Sequence, residues 1–289
     1  MGNHGRTVKG RSGWYFGGHG ARRPVLIATA FLSAAVFVLV ACSAPENQNS
    51  GQTNAGPASA TDWQAVEQAL GKAGAMQPGD VYKVSLPRSD LQVMAGGVEQ
   101  TALHNHVLHE SPRVMYMHIS AHGDAVKIAR AIHDALALSK TPFTAPAAGG
   151  DQNQGLGIDT KQLDQIMGRM GKVNGGVYQF SVPRGEAVSD NGMEIPPAMG
   201  LATAINFQPT GGGKAAITGD FVLTASEVNP VIRAPRDNGI EVTALHSHML
   251  TESPRLFFMH FWANDDAQKL ARGLRAALDK MNIAKGQAK

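Results

Sequence analysis

The chain of 289 residues has a single cysteine, Cys42. A lone thiol excludes an intramolecular disulfide framework, a CxxC redox pair and a thiolate-rich zinc site, so neither staples nor cysteine-held metal organises the fold. Aromatic residues are sparse at 6% and charged residues at 17%, but hydrophobic residues reach 43%, which excludes disorder. Long apolar runs are lacking as well. Only Val25 to Ala41 is apolar for as many as 17 residues, short of the roughly 20 that a spanning helix takes, and a polytopic membrane protein is excluded. Several chemistry-bearing signatures are absent: there is no GxSxG elbow, HExxH helix or GxGxxG fingerprint. Gly211-Gly212-Gly213-Lys214 lacks the spacing and the Ser/Thr of a P-loop and reads as a hairpin turn.

Acidic residues are missing from the first 24 positions, which hold Arg6, Lys9, Arg11, Arg22 and Arg23. The apolar run that follows ends in Leu39-Val40-Ala41-Cys42, which reads as a lipobox: basic region, apolar region, small residues, then the cysteine whose thiol takes the lipid. Residues 1–41 are thus expected to be a signal peptide, Cys42 the lipidation site, and 42–60, rich in Ser, Asn, Gln and Gly, a flexible tether. The expected address is the outer face of the cell membrane, or its periplasmic side, with the membrane as a partner through the lipid anchor. The Arg22-Arg23 pair leaves both general and twin-arginine export open. Without the five basic residues of the head, 21 basic stand against 23 acidic residues, a net of −2. The basic footprint of nucleic-acid binding is missing, and no nucleic-acid partner is expected.

Laying the chain on itself exposes a duplication. Residues 101–118, TALHNHVLHESPRVMYMH, and residues 243–260, TALHSHMLTESPRLFFMH, are identical at 12 of 18 positions. Val81 to Arg88 matches Val177 to Arg184, and Val66, Ala69, Leu70, Gly71 and Gly74 match Leu163, Ile166, Met167, Gly168 and Gly171. Downstream, apolar positions 125, 128, 129, 132, 135 and 136 fall on one helix face, with Asp124, and Asp266 in the other copy, placed to cap it. Short β-branched and aromatic runs separated by Glu-Ser-Pro-Arg read as strands around a turn. Each unit therefore reads helix, strand, hairpin, helix. The expected fold class is α+β, two tandem repeats, each an antiparallel sheet with flanking helices packed on one face. Repeat 1 covers 61–140 and is truncated, 141–156 is a linker, and repeat 2 covers 157–283. Between Arg184 and Thr243 repeat 2 carries 46 more residues than repeat 1 has between Arg88 and Thr101, including apolar runs at 201–207 and 215–223 and a Thr224–Glu227 capping box.

The residues that could carry chemistry are His104, His106, Glu110 and His118 in repeat 1, and His246, His248, Glu252 and His260 in repeat 2. On a strand, residues i and i+2 share a face, so each HxH pair can reach one divalent transition metal. Whether the third histidine joins depends on register: facing numbers that sum to an even value put all three imidazoles on one face, an odd sum does not. The alternative is histidines hydrogen-bonded on a sheet face, with no ion. An internal comparison favours the metal, because His109, His122 and His133 are Thr251, Asn264 and Arg275 in repeat 2, whereas all three constellation histidines and the glutamate are present twice. Arg113 and Arg255 are candidates for holding an anion, or else turn ion pairs with their glutamates. Met115, Met117 and Met259 read as core. The HxHxxxE spacing is similar to that of cupins, but the strong helices exclude their all-β barrel.

The runs Ala102 to His106 and Pro112 to His118, with their repeat 2 counterparts, resemble the LppY/LpqO family of bacterial lipoproteins, a domain of unknown function. Gly219 to Leu223 and Glu227 to Pro230 also resemble the family's unit, with Ser247 in place of the usual Asn. Repeat 1 lacks the strands and the Glu-x-Asn-Pro segment before its histidines. The working site is therefore expected in repeat 2 or between the repeats. The resemblance brings no reaction with it. The sequence leaves two readings: a metal-dependent enzyme or metal-binding accessory, or a non-enzymatic envelope lipoprotein that takes a hydrophobic, small-molecule or glycan ligand.

Overall fold

The computed structural model describes residues 61–100, 110–144 and 155–285. The expected signal peptide, Cys42, the tether, His104 and His106 lie outside the described residues, as does most of the expected linker.

Repeat 1 contains α1 (Trp63–Leu70), β1 (Ala75–Gln77), β2 (Val81–Lys83), β3 (Met94–Ala95), β4 (Val98–Glu99), β5 (Glu110–Ser111) and α2 (Ala125–Ala137). Repeat 2 opens with α3 (Thr160–Met167), β6 (Lys172–Asn174), β7 (Val177–Pro183), β8 (Ser189–Asp190) and β9 (Met193–Glu194). A 3-10 turn at Pro197–Met199 leads into β10 (Ala202–Gly211), β11 (Lys214–Thr224), α4 (Ala225–Asp237), β12 (Glu241–His246), β13 (Glu252–Ser253), β14 (Leu256–Asp266) and α5 (Ala267–Leu278). Helices and antiparallel sheets thus mix as an α+β fold. Among the described residues no helix is long and apolar enough to cross a membrane.

Repeat 2 is built on a six-stranded antiparallel sheet in the order β12-β14-β11-β10-β7-β6. The two apolar runs of the 46 extra residues become its central strands β10 and β11, turning at Gly211 to Lys214. One sheet face carries Phe180, Ile205, Phe207, Ile217, Phe221, Met259 and Phe261, all fully buried against α3, α4 and α5. The apolar stripe of α5 supplies Leu270, Ala271, Leu274, Ala277 and Leu278 to this core, and Asp266 caps the helix by accepting the Lys269 N–H at 2.8 Å. In α2, Asp124 does the same for Lys127 at 2.8 Å, and Ala129, Ile132 and Leu136 are buried. Fully burying one such Leu or Phe contributes roughly 1.5–3 kcal/mol, so the helix face is where the stability of repeat 2 resides.

The duplication is visible in chemical detail. In repeat 2 the Tyr178 hydroxyl donates to Asp164 at 2.7 Å, and Asp164 also accepts the Gly171 N–H at 2.9 Å. In repeat 1 the Tyr82 hydroxyl donates to Glu67 and accepts the Gly74 N–H. A Cβ at Gly171 or Gly74 would lie 2.6 Å from the tyrosine ring, so both glycines are required by close approach.

The repeats differ where the sequence differs. The run Pro112 to His118, expected as a strand, belongs to no ladder in repeat 1, whereas its counterpart β14 pairs with β11 and β12. The physical reason is that β11 comes from the residues that repeat 1 lacks. For the same reason Met115 and Met117, expected in the core, are exposed at 57% and 52%, while Met259 is buried. The other face of the large sheet has its own cluster of Val188, Leu201, Val222, Leu256 and Phe258. Farther along that face, repeat 1 lies on it: Ala95 and Val98 pack with Trp262 and Ala216, and Gln208 donates to the Glu99 carbonyl at 2.6 Å. From this contact the chain passes through β5, paired with β3, into the extended segment that carries His118.

A histidine cluster between the two repeats

The hairpin register decides where the histidines point. In β12 and β14, Ala244 faces His260 and His246 faces Phe258, an even sum. His246 and His260 therefore share a sheet face, the one away from the helices, as the even-register expectation requires. Their Nε2 atoms lie 2.9 Å apart, and the rings are stacked with centroids 4.9 Å apart. Just past β12, His248 lies flat on Phe258, centroids 3.5 Å apart and planes within 7°. Phe258 thus fixes the ring plane of His248.

The fourth ring comes from repeat 1. His118 stacks on His248 with centroids 3.9 Å apart and stands 6.0 Å from His246. His118, His246 and His248 each offer one ring nitrogen, and these three atoms lie within 4.8 Å of one another. Neighbouring nitrogens bound tetrahedrally to one ion at about 2.0–2.1 Å stand about 3.3 Å apart; the hydrogen-bonded Nε2 pair of His246 and His260 is near that spacing, whereas the triad has to contract, and its stacked rings to turn, to meet one ion. The pKa of His118, which remains exposed, is lowered first by partial desolvation and then by His246. A neutral imidazole is the form that binds a metal.

The two glutamates stand elsewhere. Glu252 is buried at the start of β13, where it accepts the Leu256 N–H across the turn into β14 at 2.9 Å and pairs with Arg255 at 3.3 Å. Glu110 accepts the Val114 N–H at 2.9 Å in the equivalent turn. Burial raises the Glu110 pKa, against lowering by the Val114 N–H and by Arg113. Both turns pass through a cis Ser–Pro bond. The repeated glutamate thus holds the repeated turn. Arg255 is committed to Glu252 and to the Met249 carbonyl; Arg113 is exposed.

Asp220, within the family-like run Gly219 to Leu223, is a further residue of this face. It stands on β11 directly opposite His260, on the same face, and is 6% exposed. Burial pushes its carboxyl up to about 7, opposed by the backbone N–H groups of Ala204 and Asp220 itself. The Ala204 N–H reaches it at 3.3 Å. The signal in the sequence is a lone carboxylate inside an otherwise apolar central strand. Arg184 and Glu227 form a pair that the sequence did not single out: Arg184 binds Glu227 at 2.8 Å and Glu186 at 2.5 Å, and donates to the Val222 carbonyl on β11.

No curated protein and no solved structure matches the chain. The model of a family described as Domain of Unknown Function (DUF1259) matches residues 92–138 and 161–280. The two matched segments fall in the two repeats, one ending past His118 and the other containing His246, His248 and His260. They cover more than half of the sequence, and the chain belongs to this family of domains of unknown function.

Proposed function

We propose that the protein binds one divalent transition metal at an imidazole site between its two repeats. The observation that carries this reading is the meeting of His118 from repeat 1 with His246 and His248 from repeat 2, with ring nitrogens within 4.8 Å. Imidazole is a borderline ligand that suits Zn, Fe, Ni and Cu better than Mg or Ca. His260, at 2.9 Å from His246, completes a set of four. The repeats are 61–140 and 157–283, joined by 141–156, and Glu110 and Glu252 hold the turns before the segments that carry His118 and His260. Around this core we place the remaining expectations from the sequence: a lipoprotein of the LppY/LpqO kind, with a signal peptide over 1–41, a tether over 42–60 and Cys42 as its membrane anchor. The support for these is the lipobox and the Ala-Leu-His-x-His pattern.

Elemental analysis of the purified chain starting after Cys42, loaded with zinc, nickel, iron or copper, tests the proposal. About one equivalent is expected in the wild type, and none in the His246→Ala, His248→Ala double variant. His118→Ala should lose the ion or hold it far more weakly, although it lies in the other repeat. A wild type that takes up no metal, or a double variant that keeps it, overturns the reading.

A further inference from the structure

Four imidazoles bring no negative charge to a doubly charged ion. The two carboxylates that the repeated motif offers, Glu110 and Glu252, accept the N–H groups of Val114 and Leu256 in their turns. On the sheet face that carries the cluster, a carboxylate does stand beside it: Asp220, buried, in the central strand β11, directly across the ladder from His260. Directly opposed residues of an antiparallel pair carry their Cβ atoms about 4.5–5.5 Å apart. Burying a carboxylate in the middle of a sheet is costly unless a charge or hydrogen bonds compensate it, and here the Ala204 N–H at 3.3 Å is a weak return. The neighbour on its other side, Ala204, has no polar side chain.

Resting on the metal reading above, we propose that Asp220 is a positioning residue of the site: from its place across the ladder its carboxylate takes up the Nδ1–H of His260 when an ion binds at Nε2. The geometry fits in two respects. The Nε2 of His260 is the nitrogen turned toward His246, so Nδ1 is the one an acceptor can hold. Asp220 is also the residue that β11 places opposite that ring. Metal-bound histidines generally donate their second ring N–H to a carboxylate or carbonyl, which fixes the tautomer and raises ligand basicity. Asp220 therefore fixes which nitrogen of His260 is available and offsets part of the ion's charge inside the sheet. β11 belongs to the residues absent from repeat 1, so repeat 1 has no counterpart of Asp220.

Chelator competition with zinc on the wild type and on Asp220→Asn tests this, with thermal melting of both metal-free proteins as the control. The expected result is a roughly 10–100-fold loss of zinc affinity, with the metal-free melting temperature of Asp220→Asn equal to or above that of the wild type. Equal zinc affinity in the two proteins overturns the role of Asp220 and leaves the metal site standing. A wild type that binds no zinc removes the site itself and this role with it. If Asp220→Asn does not fold, 15N-histidine spectra of the zinc-loaded wild type decide: a slowly exchanging imidazole Nδ1–H is expected from His260, and its absence overturns the proposal.

Discussion

Glu252 shows how one side chain can serve the site without touching it. Its carboxylate is fully enclosed, accepts the Leu256 N–H and faces the Arg255 guanidinium. This sets the turn from which β14 starts, and with it the register that puts His260 beside His246. Glu252→Ala would leave the buried Leu256 N–H without its acceptor, at a cost of about 1–3 kcal/mol. We expect a fall in melting temperature of a few degrees with metal content near the wild-type value, read by thermal melting and elemental analysis on one preparation. Loss of the ion at unchanged melting temperature would make Glu252 a ligand instead. His248 depends on a different residue: its plane is set by Phe258, a strand neighbour of the other two histidines rather than a member of the motif.

At the scale of elements, α4 is tied to the sheet by Arg184 and Glu227. Glu227 closes the capping box by accepting the Thr224 N–H at 2.7 Å, and also takes the Asn282 N–H at 2.7 Å beside its bond to Arg184. Burial alone would raise its pKa, but the Arg184 guanidinium and these two N–H groups hold it below the usual carboxylate range. Because the folded value is depressed, the pair's stabilisation is present above the unfolded carboxylate pKa and is lost as pH falls through the folded one. Glu227→Gln should cost about 3–5 kcal/mol near pH 7, and its stability should fall less steeply than the wild type's below about pH 4.5. Denaturant titrations across pH 3–7 check this; parallel acid limbs in the two proteins would count against it. These elements also show what could be read in advance. The stripes of α2 and α5, their aspartate caps and the glycine turn at 211–213 follow from local periodicity and turn chemistry, and so were legible. The parity of the β12–β14 hairpin was legible only as a condition, because register depends on a bulge between Val242 and Ala244 that no local pattern marks. A site between the repeats was legible only as one of two alternatives, and the choice of His118 as its repeat 1 member was not: it depends on Trp262 seating the β3–β4 hairpin, a contact between residues far apart in sequence. Asp220 was hidden for the same reason, since its significance lies in what stands opposite it.

For the whole molecule, the unequal repeats imply unequal rigidity. Repeat 2 holds the larger core, and repeat 1 has the smaller one of Val66, Leu70, Tyr82, Val84, Leu86, Ala129, Ile132 and Leu136. Amide exchange should therefore be slowest in β11, β14 and α5 and faster in α1 and α2. One equivalent of zinc should slow exchange over 112–120, where no ladder protects the backbone, and leave β11 nearly unchanged. Exchange in 112–120 that is indifferent to a bound ion would take His118 out of the site.

The seating of repeat 1 across the sheet of repeat 2 also bears on the order of events during synthesis. His118 emerges long before the strands that it must meet, and β14, which carries His260, is the last strand to be made. A growing chain therefore lacks the full set of imidazoles, which comes together when the last hairpin closes. Occupancy is then linked to completion of the fold, and by mass action free metal at about a hundred times its dissociation constant would add about 2.7 kcal/mol to the finished chain. On the proposed reading, uptake of an ion and resistance to unfolding are two measures of one equilibrium.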